Sequence, residues 1–146
     1  MKKNQGFTLI ELIAVIVILG ILSAIALPKF VNLTSEARVA KMQGAVGAVN
    51  SASALVHAKW LAGGSTGASV VVEGPTTINV VNGYPAAASL ADAAGLSGSD
   101  YKVTVAGTKA TIEDPGKASC SFSYTEAAAA GATPTVDQSG VIPANC

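Results

Sequence analysis

Charge is scarce in this 146-residue chain. Only 12% of residues are Asp, Glu, Lys or Arg, the formal net charge is zero, and the nine basic side chains are scattered rather than massed. No basic patch is available to release counterions from a phosphate backbone, so no nucleic-acid partner is expected. Histidine is nearly absent too: His57 is the only one, and Cys120 and Cys146 form no CxxC pair. A zinc site therefore lacks ligands, and no metal or other cofactor is expected. Catalytic constellations are equally thin. His57 has no sequence claim to a Ser or Asp partner and reads as a boundary histidine. Glu113-Asp114 runs into Pro115-Gly116, which suits a turn better than an acid–base pair. Gly63, Gly64 and Gly67 lack the spacing of a phosphate-binding loop. Asn32-Leu33-Thr34 is a glycosylation sequon in form only, and Phe30 and Trp60 read as packing residues. The chain is expected to be no enzyme.

What is present is apolar. Half of the residues are hydrophobic, enough for one ordinary domain plus one long apolar segment. Fifteen glycines and six prolines suit a turn-rich β structure or an exported surface protein. Residues 7–27 carry one formal charge, Glu11, and otherwise only Thr8 and Ser23 as polar side chains. As a helix that run spans roughly 30 Å, the thickness of a bilayer core. Lys2 and Lys3 precede it, which keeps the N-terminus cytoplasmic and sends the rest outward. Two exported architectures share such a start. In a secreted binding domain the run would be a signal peptide cut after Ala26, at the small-x-small Ala24-Ile25-Ala26. In the other it is retained, as its length, Glu11 and the nearby Pro28 favour.

Gly6-Phe7-Thr8-Leu9-Ile10-Glu11 separates the two. A short basic leader ending in Gly, followed by Phe-Thr-Leu-Ile-Glu opening an apolar segment, resembles the processing signature of type IV pilins and pseudopilins. Ser53-Ala54-Leu55-Val56 and Asn82-Gly83-Tyr84-Pro85 look like the mannose-sensitive haemagglutinin branch of type IVa pilins. The resemblance implies cleavage after Gly6 by a prepilin peptidase, N-methylation of Phe7, and a mature subunit beginning there. It implies that Glu11 pairs with the Phe7 amine of a neighbouring subunit, and that Gly20 and Pro28 weaken the helix for the passage from bilayer to filament. Three regions follow: a leader, 1–6; a long helix, 7–60, whose residues 7–27 form the transmembrane segment and filament core; and a globular β-rich head, periplasmic or extracellular, 61–146.

The fold class expected is α+β, with a half-apolar helix packed on an antiparallel sheet. Val39, Met42, Val46, Val49, Ser53, Val56 and Trp60 recur at steps of three and four and make one stripe. Glu36, Arg38, Lys41, Gln43, Asn50 and Lys59 fall on the solvent or partner side. Residues 69–73 and 77–81 read as strands, and Asn82-Gly83 as a turn. Residues 84–95 suggest a short helix stopped by Gly95, or equally an ordered loop. Tyr101, Val103 and Val105, then Ala110 and Ile112, then Cys120, Phe122 and Tyr124 alternate as three strands with one buried face, the first two joined through Gly107. The two cysteines are either free thiols or a bridge closing about 26 residues. The second reading encloses a pilin-like C-terminal loop whose Ala-, Gly-, Thr- and Pro-rich tail would order poorly untethered.

The function implied is assembly: a structural subunit of a type IV pilus, forming a homo-oligomeric surface filament for adhesion or motility. The precursor would sit in the inner membrane and meet the peptidase and an inner-membrane assembly platform with its ATPases. A pseudopilin of a type II secretion system shares the N-terminal signature and is the alternative.

Overall fold

The computed structural model describes residues 7–72, 75–96 and 98–146, and for residues 27–32 the backbone alone. The chain divides into two units, Met1–Ser35 and Glu36–Cys146.

One helix, α1 (Leu9–Ala62), runs through both. Thr8 caps its start. Its end is set by glycine: Gly64 takes a φ of 88°, the left-handed region open to a residue without Cβ. The amides of Gly63, Gly64 and Ser65 donate to the carbonyls of Lys59, Leu61 and Trp60, so the last turn's orphan acceptors are satisfied locally. Lys59 places a cation at the negative end of the helix dipole. In the first unit every side chain described from Phe7 to Ala26 is exposed.

In the second unit the expected stripe is the buried one. Met42, Val46, Val49, Ser53 and Val56 are buried, joined by Ala45 and Ala52 from the flanking turns. Two antiparallel sheets receive them. The first has three strands in the order β1 (Ser69–Val71), β2 (Thr77–Val81), β3 (Tyr84–Pro85). β2 and β3 are joined by Asn82-Gly83 with both residues at positive φ, the type I′ geometry that this pair favours. The second sheet is a four-stranded meander: β4 (Lys102–Ala106), β5 (Lys109–Asp114), β6 (Lys117–Thr125), β7 (Thr135–Asp137). Gly107, at φ 59°, lets β4 turn into β5 with Ala106 opposite Lys109.

The stripe divides its contacts between the sheets. Met42, Val46 and Val49 share one core with Ile112, Phe122, Tyr124 and the two cysteines; Val56 meets Ile78 and Val80, with Trp60 packed alongside. Full burial of each such side chain is worth about 1.5 to 3 kcal/mol. Between the sheets lie a 3-10 turn (Ala87–Ser89) and α2 (Leu90–Ala94), which Gly95 ends at φ 64°, as its position predicts. Tyr124, fully buried, crosses from one sheet to the other: its hydroxyl donates to the Pro85 carbonyl at 2.8 Å.

Three details differ from the sequence expectation. The first strand stops at Val71, and Glu73 lies outside the described residues. Val105 is 44% exposed rather than core-facing, because β4 is the sheet edge and only Val103 of its alternating pair packs on the core. A fourth strand, β7, is added by pairing on β6 from the tail expected to be irregular.

Candidate assembly site

The signature residues fall at the start of α1. Gly6 lies outside the described residues, and Phe7 is 86% exposed at the foot of the helix. Thr8 and Glu11 bond reciprocally. Glu11 Oε2 accepts from the Thr8 amide at 2.8 Å and from its hydroxyl at 2.6 Å, while the Glu11 amide donates to Thr8 Oγ1 at 3.3 Å. This is a capping box, with Thr8 at the cap and Glu11 three residues on. It satisfies helix-terminal donors that hydrocarbon could not solvate. Thr8-Leu9-Ile10-Glu11 carries the Thr-x-x-Glu spacing openly, so this role of the carboxylate is legible locally. Glu11 Oε1 makes no hydrogen bond among the described residues, which leaves one oxygen for an outside donor.

Above the box stands an apolar cylinder. Leu9–Ala26 has a mean hydropathy of 2.8, is long and apolar enough to cross a membrane, and has none of its surface buried within the chain. Leu9, Ile10, Ile16, Ile21 and Ile25 are among its exposed side chains. A patch this continuous marks a lipid or protein contact. Gly20 lies on it, and a Cβ there would meet nothing within 4 Å, so no intrachain contact requires the glycine. The backbone stays helical through Gly20 and Pro28.

The head unit has its own anchor. Asp114 ends β5 with a side chain only 7% exposed, and three cations or amides converge on it: Lys41 Nζ at 2.9 Å, the Gly116 amide at 2.9 Å and Arg38 Nε at 3.7 Å. Burial pushes its pKa up, but the Lys41 and Gly116 hydrogen bonds and the charges of Lys41 and Arg38 outweigh that and hold it below the usual carboxylate value. Arg38 and Lys41 were expected to face solvent or a partner; they reach the β5–β6 turn instead. The same Arg38 donates from Nη1 to the Cys146 carbonyl at 3.0 Å, and Lys41 also donates to the Asp100 carbonyl and lies over the Tyr101 ring. Cys120 and Cys146 are bonded, and both are fully buried. Bridge and Arg38 together tie the C-terminal segment to β6 and to α1.

Residues 1–27 match the prokaryotic N-terminal methylation motif. Over 53 residues the chain is 55% identical to a type IV narrow pilus major component of Thermus thermophilus, a match covering 36% of this chain and 46% of the relative. Over 68 residues it is 40% identical to a fimbrial protein of Pseudomonas aeruginosa, covering 45% and 44% of the two. Over 48 residues it is 46% identical to a type IV major alpha-pilin of Moraxella bovis, covering 33% and 30%. The chain spans less than half the length of each of these relatives. No solved structure matches it.

Proposed function

We propose that this chain is a structural subunit of a type IV pilus, made as an inner-membrane precursor and assembled through α1 into a homo-oligomeric surface filament. The observation that carries the reading is the methylation motif opening onto a helix whose first unit is apolar on every side and unburied. Such a surface is stable in lipid or in a bundle of its own copies and nowhere else in water. The relatives named as major pilus components favour this over the pseudopilin. We assign it no catalytic role, and the haemagglutinin branch is the finer placement we favour from residues 53–56 and 82–85.

Cleavage after Gly6 by a prepilin peptidase gives the arrangement its logic. It frees an amine on Phe7, which is then methylated, four residues before Glu11. Thr8 keeps its amide and hydroxyl after the cut, so the capping box survives and holds the carboxylate in place. The amine of a neighbouring subunit pairs with the oxygen that Thr8 leaves open. In apolar surroundings an unpaired carboxylate is costly and a paired one is tolerated, so one pairing sets the register of an otherwise uniform apolar contact. Gly20 and Pro28 lower the cost of local unwinding as the helix leaves the bilayer. An assembly platform and its ATPases supply the work.

The test is Glu11→Ala in cells. Immunoblots should show the variant inserted and processed, N-terminal sequencing should find methylated Phe7, and electron microscopy should show few or no fibres. Abundant normal fibres from this variant would refute the pairing.

A further inference from the structure

A cavity in the head unit lies at the end of α1, away from the Asp114 anchor, and nothing in the assembly reading uses it. Its volume is about 610 Å³, within the roughly 300 to 1,000 Å³ usual for small-molecule sites. Trp60, His57 and Tyr84 form its aromatic wall. Tyr84 stacks on His57 with centroids 4.1 Å apart and planes within 3°, and Trp60 follows at 6.0 Å. The wall is fixed from behind. His57 Nδ1 donates to the Gly83 carbonyl at 2.8 Å, and Trp60 Nε1 donates to the Gly67 carbonyl at 3.2 Å. Gly83 makes the closeness possible: a Cβ there would stand 2.9 Å from two Trp60 ring carbons.

The polar groups facing this wall are neutral. No Asp, Glu, Lys or Arg lines the cavity. Asn82 donates from its amide nitrogen to the Ala127 carbonyl, and its oxygen carries no hydrogen bond among the described residues. Among the described residues the His57 Nε2, Ser65 hydroxyl and Tyr84 hydroxyl carry no hydrogen bond, and all three residues line the cavity. Ala130, Gly131 and Ala132 supply a small-residue opposite rim that leaves the mouth open.

The geometry points to a binding site for a neutral saccharide ring. The electron-rich face of an aromatic ring attracts the weakly positive axial C–H groups of a pyranose, and its equatorial hydroxyls, each donor and acceptor, match the unpaired groups at the edge. Charged ligands find no counter-ion here. A purely apolar ligand would leave the Asn82 oxygen and His57 Nε2 desolvated and unpaired. The site is built within the head, so it stands whether or not the chain forms filaments.

Trp60 is the sole tryptophan, which makes its emission a specific reporter of this cavity. The mature full-length chain, held in dodecylphosphocholine so that the detergent offers no sugar, is titrated with methyl glucoside, methyl galactoside and N-acetylglucosamine. A saturable change in Trp60 emission is expected for at least one, with a Kd of about 1 mM, together with saturation-transfer signals from its ring protons. Ala130 is exposed and makes no core contact, so Ala130→Arg should fill the mouth and weaken binding at least about tenfold at an unchanged urea midpoint. Tyr84→Phe, which keeps the stack and loses the hydroxyl, should weaken it less. The proposal is overturned if no sugar responds up to about 50 mM, if sorbitol gives the same change, if indole binds and the sugars do not, or if Ala130→Arg binds as well as the parent.

Discussion

Asp114→Asn isolates the charge that ties the helix to the hairpin. Asparagine keeps the shape and can still accept from the Gly116 amide, so the turn itself survives. What goes is the anion between Lys41 and Arg38. The Lys41 bond, at 2.9 Å to a carboxylate 7% exposed, belongs to the charge-assisted class worth about 1.5 to 3 kcal/mol. Arg38 stands at 3.7 Å and is itself 32% exposed, so water screens it and its share is below about 1 kcal/mol. Lys41, at 35% exposure, retains the Asp100 carbonyl and some solvent, which softens the loss. The expected destabilisation is about 2 to 3 kcal/mol, read as a fall in urea midpoint at constant m-value with Trp60 emission as the probe. The pH dependence adds an independent check. The folded-state pKa of Asp114 lies below its unfolded value, so its contribution is fully present above about pH 4 and is lost as pH falls through the folded value. The parent should lose stability over that acid range and the variant should lose distinctly less. A variant within about 0.5 kcal/mol of the parent, or one with the same acid slope, would refute the anchor.

Two further perturbations act on the same core. Tyr124→Phe removes the 2.8 Å bond to the Pro85 carbonyl and orphans that buried acceptor, at a cost of about 1 to 2 kcal/mol. Burial pushes the Tyr124 phenol up to about 12 from 10, so the folded state favours the protonated form; stability present below pH 10 should fall between pH 10 and 12 in the parent, and an equal fall in the Phe variant would count against it. Replacing both cysteines with serine opens a 26-residue loop and should cost about 3 to 4 kcal/mol on the chain-entropy account. Dithiothreitol should lower the parent's urea midpoint and leave that of the double variant unmoved; an unmoved parent would show that Arg38 and β7 hold the tail without the bridge.

The positions that reasoning from residues placed well share a physical character: their signal is short-range and periodic. The stripe from Met42 to Val56 repeats with the helix period, and a side chain at that period has one face of the helix to occupy whatever covers it. Asn82-Gly83, Gly95 and Gly107 act through their own backbone angles, so each turn or stop is set by the residue itself. The capping box of Thr8 and Glu11 is equally local, although the sequence reading assigns Glu11 only to pairing with a neighbour. The apolar run of 7–27 is equally self-contained, since hydropathy summed over a span needs no partner to be read.

Other features depended on which distant segments meet. Arg38 and Lys41 occupy the polar side of the helix by period, and only the hairpin turn 73 residues beyond Lys41 converts them from solvent-facing charges into ligands of a buried carboxylate. β7 is three residues long and has no alternation to announce it; it exists because β6 offers an unpaired edge where Thr135–Asp137 passes. Val105 has the pattern of a core residue and lies exposed because its strand is the edge of the sheet. The aromatic wall joins His57 and Trp60 of the helix to Tyr84 of a hairpin, residues that nothing in their local sequence brings together. The sequence alone thus determined the elements, their caps and turns, and the one segment that must leave water. Tertiary structure decided which charges are buried, where the sheet ends and where the head opens a cavity, because each of those depends on neighbours that only the folded chain supplies.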